Sequence, residues 1–402
     1  MKGQAKRHLA IIPARSGSKS IIDKNIKEIA GKPLMAYTIE AAVESGVFSH
    51  VLLSTDSEEY ARIGRRYGAE VPYLRNPAFA RDNSPTWEAI KEAMDYYASQ
   101  GESFDTQCLL QVTSPLRSAD DIRRGYELLE KTDARSIIGT TVSTPSAEGS
   151  FLLSDDCHVC WESTRKERVS RIKDASARIY ETGTLYIEDL VKQAAGVPYL
   201  DGAYALVMDR ERSADINEPL DFELAAFLMG DEAREKTDTG AVSDNSSDPV
   251  NDKLNRLAEG SGLKCRVFKE AELLSDKDIE EAFSLFDDEK VNMVLTGTEL
   301  DISPVLTTKA LSDLSLSAYT NRKTRPRQDY PQHYRVAGGL VLYRKDMELK
   351  LPDDYKDYPL WLAEQEESVL SDIKIKTVPQ NRAFILEDPF DEKVFQFLKR
   401  QK

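Results

Sequence analysis

The segment that decides the fold spans residues 9–25 and reads LAIIPARSGSKSIIDKN. Its first four residues are apolar, which predicts a buried strand. The strand opens into a loop of small residues whose backbone amides can approach phosphate oxygens, and Arg15, Lys19 and Lys24 add three positive charges within ten positions. The glycine spacing is not that of a Walker loop. The segment therefore predicts either a nucleoside triphosphate site or a basic surface turn.

Short strands alternate with helices through the first half of the chain. This order is typical of a mostly parallel sheet covered by helices, so we expect an α/β fold. The predicted strands cover residues 9–12, 51–54, 108–112, 136–142, 184–187 and 204–208. The predicted helices cover residues 33–43, 58–67 and 219–229.

Composition excludes several classes of protein. The 402 residues include 54 Lys and Arg against 69 Asp and Glu, a formal net charge of −15. Nucleic-acid binding needs a basic face, so we expect no nucleic-acid partner, although a local positive pocket could still bind a small anion. The 4 cysteines are too few for a disulfide framework, and no apolar run approaches the roughly 18 residues of a membrane span. We therefore expect a cytoplasmic protein with reduced thiols and no membrane partner.

Several motifs resemble those of one enzyme family. Residues 12–25, followed by Ala30-Gly31-Lys32-Pro33-Leu34, resemble the signature of the CMP-sialic acid synthetases (acylneuraminate cytidylyltransferases) and of relatives that activate legionaminic, pseudaminic and 3-deoxy-octulosonic acids. Further motifs agree in order and spacing at residues 54–56, 81–86, 110–117 and 215–222. The resemblance covers about residues 7–230. It implies a Rossmann-like α/β nucleotidyltransferase fold and a cytidylyltransferase reaction.

The resemblance also implies two groups of ligand-binding residues. The group expected to hold CTP comprises Arg15, Ser18, Lys19, Lys24, Asn25 and Ser84. The group expected to face the sugar acid comprises Gln111, Thr113, Ser114, Tyr180, Arg327 and Gln328. The Gln111 segment could instead be a strand end with a turn that starts a helix. Asp56, which ends the motif at residues 54–56, is interpreted as structural, since it could be only the N-cap of the next helix.

The implied chemistry is in-line attack by the anomeric hydroxyl of a nonulosonic acid on the α-phosphorus of CTP, releasing pyrophosphate. Positioning and charge neutralisation dominate such a reaction, with Arg15, Lys19 and Asp215 as the expected catalytic residues. Mg²⁺ is the expected cofactor and Asp215 its expected ligand. Where the family usually has a second aspartate this chain has Asn217, which still offers an oxygen but removes a charge. Lys173 is a further departure, in the segment that faces the sugar in the family.

A polar, breaker-rich stretch at residues 231–251 predicts a linker between a cytidylyltransferase domain at residues 1–230 and a second α/β module at residues 252–402. The second module is interpreted as a degenerate, truncated copy of the first, or as an unrelated α/β domain with similar short strands. The overlay places residues 252–260 on 59–68, 294–300 on 110–116, 333–338 on 179–183 and 386–389 on 216–219. The copy lacks the phosphate loop, the name used below for the predicted triphosphate-binding segment at residues 13–25.

The second module nevertheless contains Arg325-Pro326-Arg327-Gln328-Asp329. These residues resemble the segment that faces the sugar acid in the family more closely than the matching residues of the first module do. We therefore expect an intramolecular pseudo-dimer or a homodimer. The predicted function is a CMP-nonulosonate synthetase whose partners are CTP and a 2-keto sugar acid. Two alternatives stay open, namely a catalytically silent nucleotide-sugar sensor or regulatory subunit, and a transferase that uses another nucleotide.

Overall fold

The computed structural model describes residues 6–18, 20–76, 79, 85–142, 152–153, 159–160, 178–192, 202–231, 249–299, 308–309, 334–347, 351–358, 361–362, 372–379 and 389–401. The chain divides into two compact units. The first contains Met1–Val142, Ile179–Thr239 and Thr308–Arg322, and the second contains Ser143–Arg178, Gly240–Thr307 and Lys323–Lys402. The sequence predicts consecutive domains and gives no sign of this interleaving.

A seven-stranded sheet forms the centre of the first unit. Its strands are β1 (His8–Pro13), β4 (His50–Ser54), β5 (Thr106–Leu109), β6 (Ser136–Val142), β9 (Arg178–Asp189), β10 (Ala203–Met208) and β13 (Thr308–Lys309), while β2 (Glu28–Ile29) and β3 (Lys32–Pro33) form a separate ribbon. The order is β10-β6-β9-β5-β1-β4, and β13 pairs with β9. Strand β1 is parallel to β4 and β5, and β6 is parallel to β10. The central β9 is antiparallel to its neighbours β5 and β6, and the sheet is mostly parallel, as predicted.

Helices cover both faces of this sheet. They are α1 (Leu34–Ser45), α2 (Glu58–Arg66), α3 (Thr86–Ser99), α4 (Ala119–Lys131) and α5 (Pro219–Asp231). Ala10 and Ile12 of β1 belong to a core cluster that includes residues of α1 and α4, whereas Leu9 and Ile11 pack in a second cluster with residues of α3. Burial on both faces explains why β1 is a continuous apolar run rather than an alternating one.

Two predicted strands differ from the observed ones. The strand expected at residues 108–112 ends at Leu109, because the chain then turns and Ser114 donates its backbone N–H to the Gln111 carbonyl at 3.4 Å. The strand expected at residues 184–187 is much longer and begins at Arg178. The first half of β9 was not predicted because Gly183 and its polar neighbours do not form a strand-like sequence pattern. Pairing with β6 nevertheless extends the strand through these residues.

The second unit contains a four-stranded sheet of β11 (Leu263–Val267), β12 (Met293–Glu299), β14 (Tyr334–Arg344) and β15 (Ile373–Thr377). Its order is β11-β14-β12-β15, with β14 antiparallel to β11 and β12, and β12 parallel to β15. The unit also contains the hairpin of β7 (Leu152–Leu153) and β8 (Val159–Cys160), and the helices α6 (Pro249–Gly260), α7 (Asp276–Ser284) and α8 (Pro389–Gln401).

The elements of the second unit follow the order of the later elements of the first. The series α6-β11-α7-β12-β14-β15-α8 runs as α3-β5-α4-β6-β9-β10-α5 does, with the same strand directions. Both central antiparallel pairs shift register at one position, between Ile138 and Thr140 in β6 and between Leu295 and Gly297 in β12. Both α4 and α7 begin with a capping box, Ser118 with Asp121 and Ser275 with Asp278.

A glycine and a threonine exchange places at the two shifts. A Cβ at Gly139 of β6 would lie 2.0 Å from the hydroxyl oxygen of Thr184 in β9. In the second unit the threonine is on the other strand, and a Cβ at Gly339 of β14 would lie 2.9 Å from the hydroxyl oxygen of Thr296 in β12. One small residue and one hydroxyl therefore fill the same space in both sheets.

This correspondence changes part of the sequence overlay. Residues 252–260 lie in α6, whose counterpart is α3 rather than α2, and residues 294–299 lie in β12, whose counterpart is β6 rather than the turn at residues 110–116. The overlay failed there because one short polar helix resembles another in sequence, and one short apolar strand resembles another.

Among the described residues, no helix is both long enough and apolar enough to cross a membrane.

Candidate active site

The predicted phosphate loop leaves the carboxyl end of β1 and contacts the end of β4. Ala14 donates its backbone N–H to the Ser54 carbonyl at 2.9 Å. Ser16 donates its backbone N–H and its hydroxyl to the two carboxylate oxygens of Asp56, each at 2.7 Å. Gly17 has a φ of 76°, a conformation that glycine adopts at little cost. The end of β4 thus fixes the loop at the carboxyl edge of the parallel strands, where α/β sheets bind ligands.

Asp56 is not the helix cap that the sequence suggested. The N-cap of α2 is Ser57, whose hydroxyl accepts the backbone N–H of Tyr60 at 3.4 Å. Asp56 points instead to Ser16, a contact across 40 positions of sequence. The N-cap assignment was therefore wrong, and Asp56 positions the phosphate loop.

Asn25 supports the same loop from within. Its side-chain amide donates to the carbonyl of Arg15 at 2.9 Å, and Asn25 itself is buried. Arg15 and Ser18, both predicted to bind the triphosphate, are half-buried in the loop. Asn25 therefore stabilises the backbone at Arg15, close to the residues predicted to bind the triphosphate.

Two hydrogen bonds join the phosphate loop to the segment around Asp215. The ammonium group of Lys24 donates to the Ile216 carbonyl at 2.7 Å, and the Ser20 hydroxyl donates to the Asn217 carbonyl at 2.7 Å. Burial lowers the pKa of Lys24, and the nearby carboxylate of Asp215 partly opposes this change. Lys24 and the predicted metal ligand therefore lie together, although the sequence separates Lys24 from Ile216 by 192 positions.

The carboxylate of Asp215 is only half satisfied. Its Oδ2 accepts a hydrogen bond from the Asn217 side-chain amide at 3.0 Å, whereas Oδ1 is buried without a hydrogen-bond partner in the part of the chain that the structure describes. A buried anionic oxygen without a partner is costly, so it marks a place for a cation or a donor. Mg²⁺ is usually held by one or two carboxylates together with substrate phosphates. Asp215 fits that role, and no group of three or more His, Cys, Asp or Glu side chains that could enclose a metal occurs among the described residues.

The predicted sugar-side residues surround the turn after β5. Ile216 donates its N–H to the Thr113 carbonyl at 2.8 Å, which links this turn to the Asp215 segment. Gln111 and Thr113 are half-buried, while Ser114 is fully buried. A Cβ at Gly183 of β9 would lie 2.5 Å from Gln111 Oε1 and 2.8 Å from Ser114 Oγ. Only a residue without a side chain lets β9 approach these two groups so closely.

Comparison with known proteins decides the family. A family model described as Cytidylyltransferase matches residues 9–175. The pseudaminic acid cytidylyltransferase of Campylobacter jejuni is 30% identical over 230 residues, 55% of this chain and 96% of its own length. The CMP-N,N'-diacetyllegionaminic acid synthase of Legionella pneumophila is 32% identical over 228 residues, 56% of this chain and 96% of its own length. This chain belongs to the cytidylyltransferase family. The resemblance seen in the sequence is thereby confirmed.

A longer relative is covered only in part. The N-acylneuraminate cytidylyltransferase of Escherichia coli is 34% identical over 260 residues, 63% of this cytidylyltransferase and 59% of the relative's length. The chain thus spans well under two thirds of that relative but nearly all of the two shorter ones.

Several predicted site residues of this cytidylyltransferase lie outside the described residues, namely Lys19, Ser84, Arg327 and Gln328. The structure does place Arg15, Ser18, Lys24 and Asn25 in the segment after β1, and it joins this segment to the carbonyls of Ile216 and Asn217, next to Asp215. Tyr180 lies on β9 three residues before Gly183 and pairs with Thr141. The supporting roles of Asp56 and Gly183 were not predicted from the sequence. A glycine inside a strand was the available signal for Gly183.

Proposed function

We propose that this cytidylyltransferase joins CTP to a nonulosonic acid of the sialic, legionaminic or pseudaminic type, forming a CMP-nonulosonate and pyrophosphate. The observation that carries this proposal is the junction of the phosphate loop with the Asp215 segment, through Lys24 and Ser20. The Gln111 turn is bound to the same segment through Thr113. Basic side chains, the Asp215 carboxylate and the polar groups of the Gln111 turn are thus connected at one edge of the sheet, which supports the proposal. The names of the relatives support the substrate class.

The chain's own residues would act by positioning and charge. In the reaction the anomeric hydroxyl oxygen forms a bond to the α-phosphorus, the bond from that phosphorus to the pyrophosphate oxygen breaks, and the hydroxyl proton is released. Arg15 and Lys19 would neutralise the triphosphate, and the loop amides around Gly17 would bind its oxygens. Gln111 and Thr113 would orient the sugar acid, so that little covalent chemistry is required of the protein.

Mg²⁺ is the cofactor that suits this arrangement. Asp215 would hold it through Oδ1, and Asn217 orients the carboxylate through its hydrogen bond to Oδ2. When bound, the ion would neutralise charge on the phosphates. Cys108 and Cys265 are free thiols, which agrees with the proposed cytoplasmic location.

Product analysis tests the proposal. The full chain is incubated with CTP, Mg²⁺ and one sugar acid at a time, chosen from N-acetylneuraminic, legionaminic and pseudaminic acids, and the products are identified by mass spectrometry. We expect a CMP conjugate with at least one of the acids. The absence of any CMP conjugate would overturn the proposal. Binding of CTP without any product would favour the second candidate function, a catalytically silent sensor. Asn217, which replaces the second aspartate usual in the family, is the observation that favours this alternative.

We further propose that the second unit is a degenerate internal copy of the first. The shared element order and the shared register shift support the common ancestry of the two units. Arg327 would supply a guanidinium for the sugar carboxylate, since its planar fork binds carboxylates through two hydrogen bonds. Arg327→Ala should raise the KM for the sugar acid while CTP binding stays unchanged, and Arg327→Lys should recover part of the loss. An unchanged KM for Arg327→Ala would contradict this role.

A further inference from the structure

Arg117 is an almost fully buried arginine, at 3% exposure, that no step of the proposed reaction uses. It lies just before Ser118, the N-cap of α4. One terminal nitrogen donates to the carbonyl of Thr184 in β9 and, at 3.4 Å, to the carbonyl of Gln111. Its Nε and its other terminal nitrogen have no hydrogen-bond partner among the residues that the structure describes. The guanidinium therefore connects the Gln111 turn to β9 and retains unused donors.

Such a residue is expensive to keep for stability alone. A buried charge costs several kcal/mol unless it is well paired, and replacement of a buried ion by an apolar residue is often neutral or stabilising. Burial lowers the pKa of Arg117 to about 10, so the group is still charged at neutral pH. The Asp121 carboxylate opposes part of this burial effect, but among the described residues the guanidinium donates hydrogen bonds only to the two carbonyls.

The second unit provides an internal control for the fold. There the residue just before the N-cap Ser275 of α7 is Leu274, which is buried at 3% exposure. The surrounding elements correspond, since β11 and α7 stand in the order of β5 and α4, and β14 pairs with β11 as β9 pairs with β5. Leucine therefore satisfies this position in the unit that has no phosphate loop. The arginine stands in the unit that contains the predicted catalytic residues.

We propose that Arg117 is a positioning residue for the sugar acid: it holds Gln111 and the Gly183–Thr184 segment in place and supplies positive charge next to the Gln111 turn, where the substrate carboxylate is expected. This inference rests on the proposed function. Arg117 donates to the backbone carbonyl of Gln111, and Gly183 has no side chain and so leaves room for Gln111 Oε1. Loss of the guanidinium would release the turn and remove a charge that attracts the anionic substrate, but it would leave the phosphate loop anchored by Asp56 and Asn25.

The test places the residue of the second unit in the first. Arg117→Leu, Arg117→Met and Arg117→Lys are compared with the wild type in the full chain, with thermal unfolding, CTP affinity and the KM values for CTP and for the sugar acid as readouts. Arg123→Leu is the matched control, because Arg123 lies on α4 with a largely exposed side chain. We expect Arg117→Leu to fold, to bind CTP as the wild type does, and to raise the KM for the sugar acid by roughly ten- to a hundredfold, the range for losing a charged hydrogen bond. Arg117→Lys should recover part of this loss, and Arg123→Leu should change nothing.

Each outcome bears on a defined claim. If Arg117→Leu does not fold, Arg117→Met provides the same comparison with an unbranched side chain, and failure of both to fold would assign Arg117 a structural role and overturn the proposal. An unchanged KM for the sugar acid in a folded variant would overturn it alone. A wild-type chain that binds CTP but turns over no sugar acid would overturn the proposed function and this inference with it. Equal losses for CTP and sugar acid would contradict the specific link to the sugar side.

Discussion

Ser16 and Asp56 join the phosphate loop to the end of the neighbouring strand through two hydrogen bonds of 2.7 Å. The backbone amide and the hydroxyl of Ser16 use both oxygens of the carboxylate. The loop is therefore held in place by the protein itself, which would lower the entropy cost of CTP binding at the proposed site.

The first prediction concerns this anchor. Asp56→Ala should weaken CTP binding by roughly tenfold or more, because two charge-assisted hydrogen bonds that shape the loop are lost. The measurement is CTP affinity by titration calorimetry. Ser57→Ala is the control at the adjacent position: it removes the N-cap of α2 and should cost about 1 kcal/mol of stability while CTP affinity is retained. Equal CTP affinities for the two variants would contradict the assignment.

The second prediction concerns the close approach of β9 to the Gln111 turn. Gly183→Ala should displace the side chain of Gln111, because the added Cβ would lie 2.5 Å from its Oε1. We expect the KM for the sugar acid to rise by about ten- to a hundredfold, since a displacement of about 1 Å is enough to disturb substrate alignment. Gly230→Ala serves as the control, because a Cβ there would meet nothing within 4 Å. A wild-type KM for Gly183→Ala would show that Gln111 does not orient the sugar acid.

The third prediction concerns the metal site. Asn217→Asp should tighten the apparent affinity for Mg²⁺, because the number of ligand charges sets the affinity for hard cations. The same change removes the donor that Asn217 gives to Asp215 and places two carboxylates side by side, so thermal stability without Mg²⁺ should fall and recover when Mg²⁺ and CTP are added. Asp215→Asn should abolish turnover. An Mg²⁺ dependence that Asn217→Asp leaves unchanged, in both turnover and thermal stability, would exclude residue 217 from the metal site.

The fourth prediction concerns a buried carboxyl group in the second unit. Glu270 is 2% exposed and accepts a hydrogen bond from Tyr355 at 2.8 Å, and burial raises its pKa above the ordinary 4.5. Between pH 4.5 and the raised pKa, Glu270 is therefore protonated in the folded state and ionised in the unfolded state. The contribution of Glu270 to the free energy of unfolding thus falls as pH rises from 4.5 through the raised pKa.

Glu270→Gln removes this titration and keeps an acceptor for Tyr355. The thermal unfolding midpoint of Glu270→Gln should therefore rise relative to that of the wild type as pH increases from about 4 to 8. The exposed Glu280 provides the matched control, Glu280→Gln, whose profile should follow the wild type. Parallel pH profiles for Glu270→Gln and the wild type would contradict the prediction.

Sequence predicted the parts of this molecule that depend on local patterns. Strand β1 was clear because Leu9, Ala10, Ile11 and Ile12 are all buried and form one apolar run. The small and basic residues after β1 also stand out in sequence, and they left a triphosphate site and a basic surface turn as alternatives. The first half of β9 was not clear, since its strand state comes from pairing with β6 through Gly183 rather than from propensity.

The supporting contacts of the site depend on residues far apart in the chain. Asp56 reaches Ser16 across 40 positions, and Arg117 reaches the Thr184 carbonyl across 67. A carboxylate before an N-cap and an arginine before a helix look like ordinary surface residues in sequence. Their roles follow only from the packing of β1 beside β4 and of β9 beside β5.

The most direct test of the central claim is pyrophosphate release by the full chain, measured with CTP, UTP, ATP and GTP, each with and without a panel of 2-keto sugar acids and with Mg²⁺ present. We expect release that requires both CTP and a nonulosonic acid. We expect Lys19→Ala to reduce this release by roughly two to four orders of magnitude, the range for losing a charge contact in the transition state. Release with another nucleotide in preference to CTP, or release that no sugar acid stimulates, would contradict that claim.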